Sequence, residues 1–267
     1  MMHAATFLFV PGDRPDRFAK ALSSGADCVI IDLEDAVQPH AKGEARQATL
    51  AADIDWARVA VRINDATSLH FEDDRQFLRA CAAPMIILPK AESPHTVAQI
   101  RAACARDVEI IVMIETVRGL ANMASLLSAP GVQRAAFGHL DFALDLGCAT
   151  DWEALLFARS QMAFQSRLAG VLPPIDSVTT DYKNAEAAAA DAAAARRLGF
   201  GGKFLIHPNQ IAPVAAAFMP KASEVAWAEK VIAASQGKHG AGSREGQMID
   251  KPVIECAQRI VARAKSN

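Results

Sequence analysis

IIVMIETVRGL, Ile110–Leu120, decides how the rest of the chain is read. Ile110–Ile114 are five apolar residues in a row, the pattern of a strand covered on both faces. A strand is predicted over Glu109–Ile114, opening into a helix at Thr116. Glu115 is the first charge after the run and so falls at the strand's C-terminal end. In a barrel of alternating strands and helices, that end faces the active site. The competing reading of Glu115 is an acid favoured by the positive end of the helix dipole.

The pattern repeats one unit later. Val132–Phe137 reads as the next strand, followed by Gly138 and by Asp141 in GHLDFALDLG. Glu115 and Asp141 are 26 positions apart (141 − 115), the length of one strand–helix unit. Neighbouring strand ends are close in space, so two carboxylates converge with coordination positions left over. That suits Mg²⁺, which keeps waters and takes substrate oxygens as further ligands. His139 raises the thought of zinc, but no Cys or second His stands near it.

Six further strands extend the series outward. Thr6–Val10 is an apolar strand ended by Pro11-Gly12, with Asp13 expected to cap the next helix and Pro15 in its first turn. Arg14, Arg17 and Lys20 surround that loop, which reads either as a phosphate-holding helix start or as a solvated capping loop. Ala26–Leu33 runs into Glu34 and Asp35, giving IIDLEDAV. Asp32, Glu34 and Asp35 would repel one another in a dry site, so they need a cation, an arginine or water. Glu34 and Asp35 are expected to line the metal site; the other reading is that they cap the next helix or pair with Arg62.

Val59–Ile63 is interrupted by Arg62, suited to clamp a carboxylate in two-pronged fashion or to pair with Glu34 or Asp35. Pro84–Leu88 leads to Lys90, a candidate for charge stabilisation and, less naturally, for a Schiff base. Val171–Ile175 reaches Asp176. The alanine-rich stretch Ala185–Ala195, with Glu186 and Asp191 inside it and Arg196 and Arg197 after it, is expected as an exposed helix. Gly201–Ile206 ends at His207-Pro208, where His207 is either a ligand contact at the barrel mouth or a hydrogen-bonded structural histidine.

Eight strand candidates, each followed by a helical pattern, predict an α/β fold: a (β/α)₈ TIM barrel closed by right-handed crossovers. The barrel is expected over residues 1–220 and a C-terminal helical extension over 221–267. In that extension, Ser223–Ser235 and Pro252–Lys265 read as helices around the glycine-rich Gln236–Asp250. This linker suggests a lid or a subunit-exchange arm. Asp250 is its sharpest residue, and on residues alone it reads as a helix cap.

Composition sets outer bounds. Of 267 residues, 51% are hydrophobic and 22% charged, as in a globular chain with a large core. A net charge of −2 does not describe a nucleic-acid surface. Five scattered cysteines without a CxxC pair read as reduced thiols. No apolar run reaches the ~18 residues of a membrane span. The N-terminal MMHAATFLFVPG reads as a first strand rather than a signal peptide, so the cytoplasm is the expected location and no membrane partner is expected.

Taken in order, FLFVPGDRPDRFAKALSSGADCVIIDLEDAV, VRIN, LPKAES, IET, FGHLDFALDLG, GFGGKFLIHPNQI and GQMID resemble the citrate lyase beta-subunit-like family. That family includes malyl-, citramalyl- and related 3-hydroxyacyl-coenzyme A lyases, and the resemblance spans about residues 6 to 260. It implies Mg²⁺ held by Glu115 and Asp141, with Glu115 also meeting the substrate. It implies an oxoacid on Arg62, Glu34 and Asp35 supporting the metal shell, and coenzyme A near Arg14, Lys20 and His207. It also implies that Asp250 acts across a subunit interface in a trimer or a multiple of trimers, reversing the residue-only reading. The implied reaction is reversible carbon–carbon cleavage of a 3-hydroxyacyl thioester. The alternatives within the family are a citrate lyase beta subunit working on citryl-acyl carrier protein and a metal-dependent aldolase of free hydroxy-oxoacids. The residues His139-Leu140 and the short C-terminal arm name no acyl group.

Overall fold

The computed structural model describes residues 4–104, 106–235, 242–244 and 247–265. The chain divides into two compact units, Met1–Ala215 and Ala216–Asn267.

The first unit is a closed barrel of eight parallel strands in sequence order. They are β1 (Thr6–Pro11), β2 (Cys28–Asp32), β3 (Val59–Arg62), β4 (Met85–Leu88), β5 (Glu109–Ile114), β6 (Val132–Phe137), β7 (Leu172–Asp176) and β8 (Gly202–Leu205). β8 pairs back onto β1, with Thr6 opposite Lys203. The strands are buried on both faces because the barrel fills one side and helices cover the other, which is why they read as continuous apolar runs.

Side-chain alternation then sorts each strand. Phe7, Cys28, Ile30, Ala60, Met85, Ile87, Ile111, Met113, Ala136, Ile175 and Phe204 form one buried cluster. The same parity continued one step toward the C-terminal ends places Asp32, Arg62 and Glu115 over that cluster. The register puts Asp32 directly opposite Arg62 and Ile114 opposite Phe137, so the mouth is set by strand pairing.

Three local expectations are corrected. Asp13 is not a cap: β1 is followed by a short 3₁₀ turn, Pro15–Arg17, capped at Arg14 without a side-chain bond, and Asp13 Oδ1 is buried without a hydrogen bond. The helix expected from Thr116 is two short ones, Val117–Ala121 and Met123–Leu127, meeting at Asn122. Thr116 is indeed the cap, its Oγ1 accepting the Gly119 N–H at 3.0 Å. The alanine-rich helix runs Ala185–Leu198 and is exposed on one side only, with Ala188, Ala192 and Ala195 fully buried. Alanines at that spacing let a helix lie close against its neighbours.

In the second unit, helices Ala222–Ser235 and Lys251–Lys265 pack around Ala228, Val231 and Ala257, flanked by Trp227, Val253, Ile254 and Val261. Gly242–Arg244 pairs antiparallel with Gln247–Ile249. The expected glycine-rich lid over Gln236–Asp250 falls largely on residues 236–241 and 245–246, which lie outside the described residues. Among the described residues, no helix is long and apolar enough to cross a membrane.

Candidate active site

The mouth is built on Asp32. Its Oδ1 accepts from Arg62 Nε at 2.7 Å and from the Glu34 N–H at 3.0 Å; its Oδ2 accepts from Arg62 Nη2 at 2.6 Å and from the Ala36 N–H at 3.1 Å. One carboxylate thus orients the arginine and folds the loop that carries Glu34 and Asp35. Arg62 Nη1 lies 2.9 Å from Glu34 Oε2, an ion pair without hydrogen-bond geometry, and donates to Asp35 Oδ2 at 3.3 Å. The Arg62 guanidinium also sits 4.8 Å above the Phe9 ring. The two-pronged clamp that the sequence offered to a substrate carboxylate is made here with Asp32.

The loop is braced from below. Lys42, buried, donates through Nζ to Leu33 O at 2.8 Å, Glu34 O at 2.7 Å and Asn64 Oδ1 at 2.6 Å. Asn64 in turn donates to Asp74, which pairs with Arg46 at 2.8 Å. Nothing in the sequence pattern singled out Lys42 or Asp74, because both act from helices on the outer layer.

Glu115 follows β5 and is 1% exposed. Its Oε2 accepts the Lys90 backbone N–H at 2.8 Å. Its Oε1 lies over Gly138, so close that any Cβ there would collide with the carboxylate, with Cγ at 2.5 Å and Cδ at 2.8 Å. Gly138 is required at the end of β6 for this reason, since its φ of −107° is open to any residue. Asp141 stands in the first turn of helix His139–Leu146, half-buried. The start of that helix is fixed by β7: the His139 N–H donates to Ser177 Oγ at 3.2 Å and His139 Nδ1 lies 2.5 Å from the same oxygen. Asp145 at the helix's far end accepts the Val117 N–H at 2.7 Å, tying the Glu115 and Asp141 loops together.

The electrostatics of the mouth are those of crowded acids. Burial first, then Glu34, push the Glu115 carboxyl well above the ordinary carboxylate range, and Asp141 adds to this. Burial likewise raises Glu34, against the pull of Arg62. Lys90 reaches across from β4, its Nζ 3.2 Å from Glu34 Oε1. Burial opposes the Lys90 charge, but Glu34 and Glu115 outweigh it and hold the ammonium above its usual value. His139 goes the other way: burial and then Arg159 lower it to about 4, leaving a neutral ring.

Glu115, its carboxyl raised by burial, and Asp141 beside it at the end of the adjacent strand fit a hard divalent cation that takes the place of the Glu115 proton. Among the described residues no group of three or more His, Cys, Asp and Glu could hold a metal ion. A cation on Glu115 and Asp141 would therefore take its other oxygens from water and ligand, which does not fit a closed structural zinc site.

The remaining expected residues are dispersed. Asp35 is mostly exposed, and among the described residues its one ion pair is the long contact to Arg62. Arg14 is exposed and bonded twice to Asp16 at 2.9 Å. Lys20 is exposed on helix Phe18–Leu22. His207 caps the turn Pro208–Gln210, its Nδ1 accepting the Asn209 N–H at 3.2 Å, and its ring lies 5.3 Å from that of Tyr182. Asp250 belongs to the second unit and caps helix Lys251–Lys265, accepting the Val253 N–H at 3.3 Å. The sequence left Asp32 and Lys90 without a settled role. Period-two alternation from Ile30 was the signal for Asp32; Lys90 had only its place after β4.

Known proteins share this fold and much of this sequence. The family model described as HpcH/HpaI aldolase/citrate lyase matches residues 5–208. A citrate lyase subunit beta-like protein of Mycobacterium tuberculosis is 36% identical over 265 residues, covering 97% of this chain and 94% of that protein. The mitochondrial citramalyl-CoA lyase of Homo sapiens is 32% identical, covering 97% and 85%. Among solved structures, the CitE protein of Mycobacterium tuberculosis in complex with magnesium, acetoacetate and coenzyme A superposes with a TM-score of 0.89 at 34% identity, covering 99% of each chain. The closed barrel and these matches place the chain in the HpcH/HpaI aldolase/citrate lyase family, whose members are lyases.

Proposed function

We propose that this chain is a Mg²⁺-dependent carbon–carbon lyase that reversibly cleaves a 3-hydroxyacyl-CoA thioester of malyl, citramalyl or citryl type into a 2-oxoacid and an acyl-CoA. The observation that carries the reading is the pairing of Glu115 and Asp141 at adjacent strand ends, beside Arg62 in the same mouth. The solved relative that holds magnesium, acetoacetate and coenzyme A supports it.

Glu115 and Asp141 would hold the cation. When bound, the cation supplies Lewis acidity toward the substrate's hydroxyl and carboxylate oxygens. Arg62 faces the oxoacid and offsets charge that develops as the bond breaks. Glu34 and Asp35 shape the arginine and the surrounding water. The hydroxyl proton passes to a general base, the bond between the carbinol carbon and the thioester α-carbon breaks, and the enolate takes up a proton at carbon. The base is Asp250 of a neighbouring copy. Arg14, Lys20 and His207 would meet the coenzyme A moiety, whose phosphates suit cationic side chains.

The test is a direct assay of the purified chain on malyl-, citramalyl- and citryl-CoA, with Mg²⁺ and with excess chelator, reading released oxoacid. Chelator-sensitive cleavage of one thioester is expected, and Glu115→Gln should abolish it. Cleavage of free hydroxy-oxoacids alone, or activity only on a citryl group carried by an acyl carrier protein, would replace this reading with the corresponding alternative.

A further inference from the structure

Lys90 is, among the described residues, the one residue other than glycine whose φ lies in the left-handed region, at +43°. A side chain in that region is strained, and such strain persists only where the surroundings enforce it. The cause here is visible. The Lys90 N–H donates to Glu115 Oε2 at 2.8 Å, and the next amide, Ala91, donates to Met113 O at 3.0 Å. Both consecutive N–H groups thus point toward β5 and its acid, and the left-handed turn lets them. Gly119 makes room for it, since a Cβ there would sit 2.6 Å from Ala91 O. Glycine at position 90 would make the same turn without strain. What glycine lacks is the ammonium, which lies 3.2 Å from Glu34 Oε1 while Arg62 stands 2.9 Å from the other oxygen of the same carboxylate.

We propose that Lys90 is a positioning residue and the fixed counter-charge of this site: its strained backbone aims Glu115, and its ammonium, with Arg62, pairs with Glu34 and offsets its charge beside the metal carboxylates. Its positive charge weakens cation binding and strengthens the binding of an anionic oxoacid. The proposal rests on the reading of Glu115 and Asp141 as the Mg²⁺ site.

Calorimetric titrations of the purified chain with MgCl₂, and with pyruvate at saturating Mg²⁺, test it. Lys90→Met should tighten Mg²⁺ about tenfold and weaken pyruvate about tenfold, the scale of one charge removed from a partly screened site. Lys90→Arg should return both affinities toward wild type. Lys90→Gly loses the same charge without strain and must give the same opposed pair of shifts, even if the methionine variant folds poorly. A lysine with a merely structural role would lower Tm and move both affinities in one direction, or neither; either result overturns the proposal. Failure of the wild-type chain to bind Mg²⁺ overturns the lyase reading together with this one.

Discussion

At the scale of single residues the mouth is governed by two tight facts, the absent side chain at Gly138 and the crowding of Glu115 with Glu34. Gly138→Ala must push the Glu115 carboxylate out of place. Destabilisation of about 1–3 kcal/mol is expected from overpacking. A loss of roughly 10–100-fold in Mg²⁺ affinity is expected from a misaimed ligand. Thermal unfolding and Mg²⁺ titration check the two separately. Glu115 and Glu34 also impose a pH dependence. Without a cation, the folded chain keeps protons that the unfolded chain gives up near the ordinary carboxylate value of 4.5. It therefore binds more protons than the unfolded chain from there up to about 8. The stability these groups contribute is full below that window and is lost as pH rises through it. In chelator, Tm should fall between about pH 5 and about pH 8, and saturating Mg²⁺ should shrink the fall. A Tm that rises across the window in chelator would refute the assignment. Little of this was legible in the sequence. Glu115 and Asp141 stand out as the first acids after apolar runs; that one presses on the backbone at Gly138 depends on how β5 and β6 are registered.

At the scale of elements, the loops after β5, β6 and β7 are held by neighbours that carry no signal in sequence. Ser177, just past β7, caps the helix that bears Asp141. Behind it, on the outer face of the sheet, Asp176 bonds Arg159 at 3.0 Å and lies 3.5 Å from Lys203, all three nearly or fully buried. Lys203 Nζ also donates to Ser177 O at 2.5 Å, so this ion group and the Asp141 helix share a support. Asp176→Ala would strand two buried cations, and a loss of about 3–5 kcal/mol in unfolding free energy is expected from denaturant titration. A loss under ~1 kcal/mol would show that water reaches the two cations. The sequence placed Asp176 at a strand end, which suggests the mouth. Its parity along β7, opposite to that of Ile175 in the lumen cluster, sends it outward instead.

At the scale of the whole molecule, the question is what the second unit does. Asp250 caps its own helix, as the residues alone indicated, and that role is compatible with the proposed proton transfer in a neighbouring copy. Asp250→Asn keeps a good cap while removing the base. Turnover should fall by about 10²–10⁴-fold with Mg²⁺ affinity and Tm unchanged; wild-type turnover would eliminate Asp250 as the base. A base supplied between copies also requires assembly, so light scattering of the active enzyme should give a trimer or a multiple of it. An active monomer would be incompatible with the shared site.

What the sequence by itself determined was the alternation: eight apolar runs with helices between them, and the acids and arginine that terminate those runs. Hydrophobic periodicity is local, and strand ends can be counted along the chain. Only the tertiary structure decided which polar groups face one another. The clamp of Asp32 on Arg62, the left-handed turn of Lys90 onto Glu115, the Lys42 bond to Asn64 and the braces from Ser177 and Asp145 join residues from different strand–helix units. Those contacts follow from barrel closure and from the twofold alternation of side chains across each strand, which fix at once the register of every neighbouring pair.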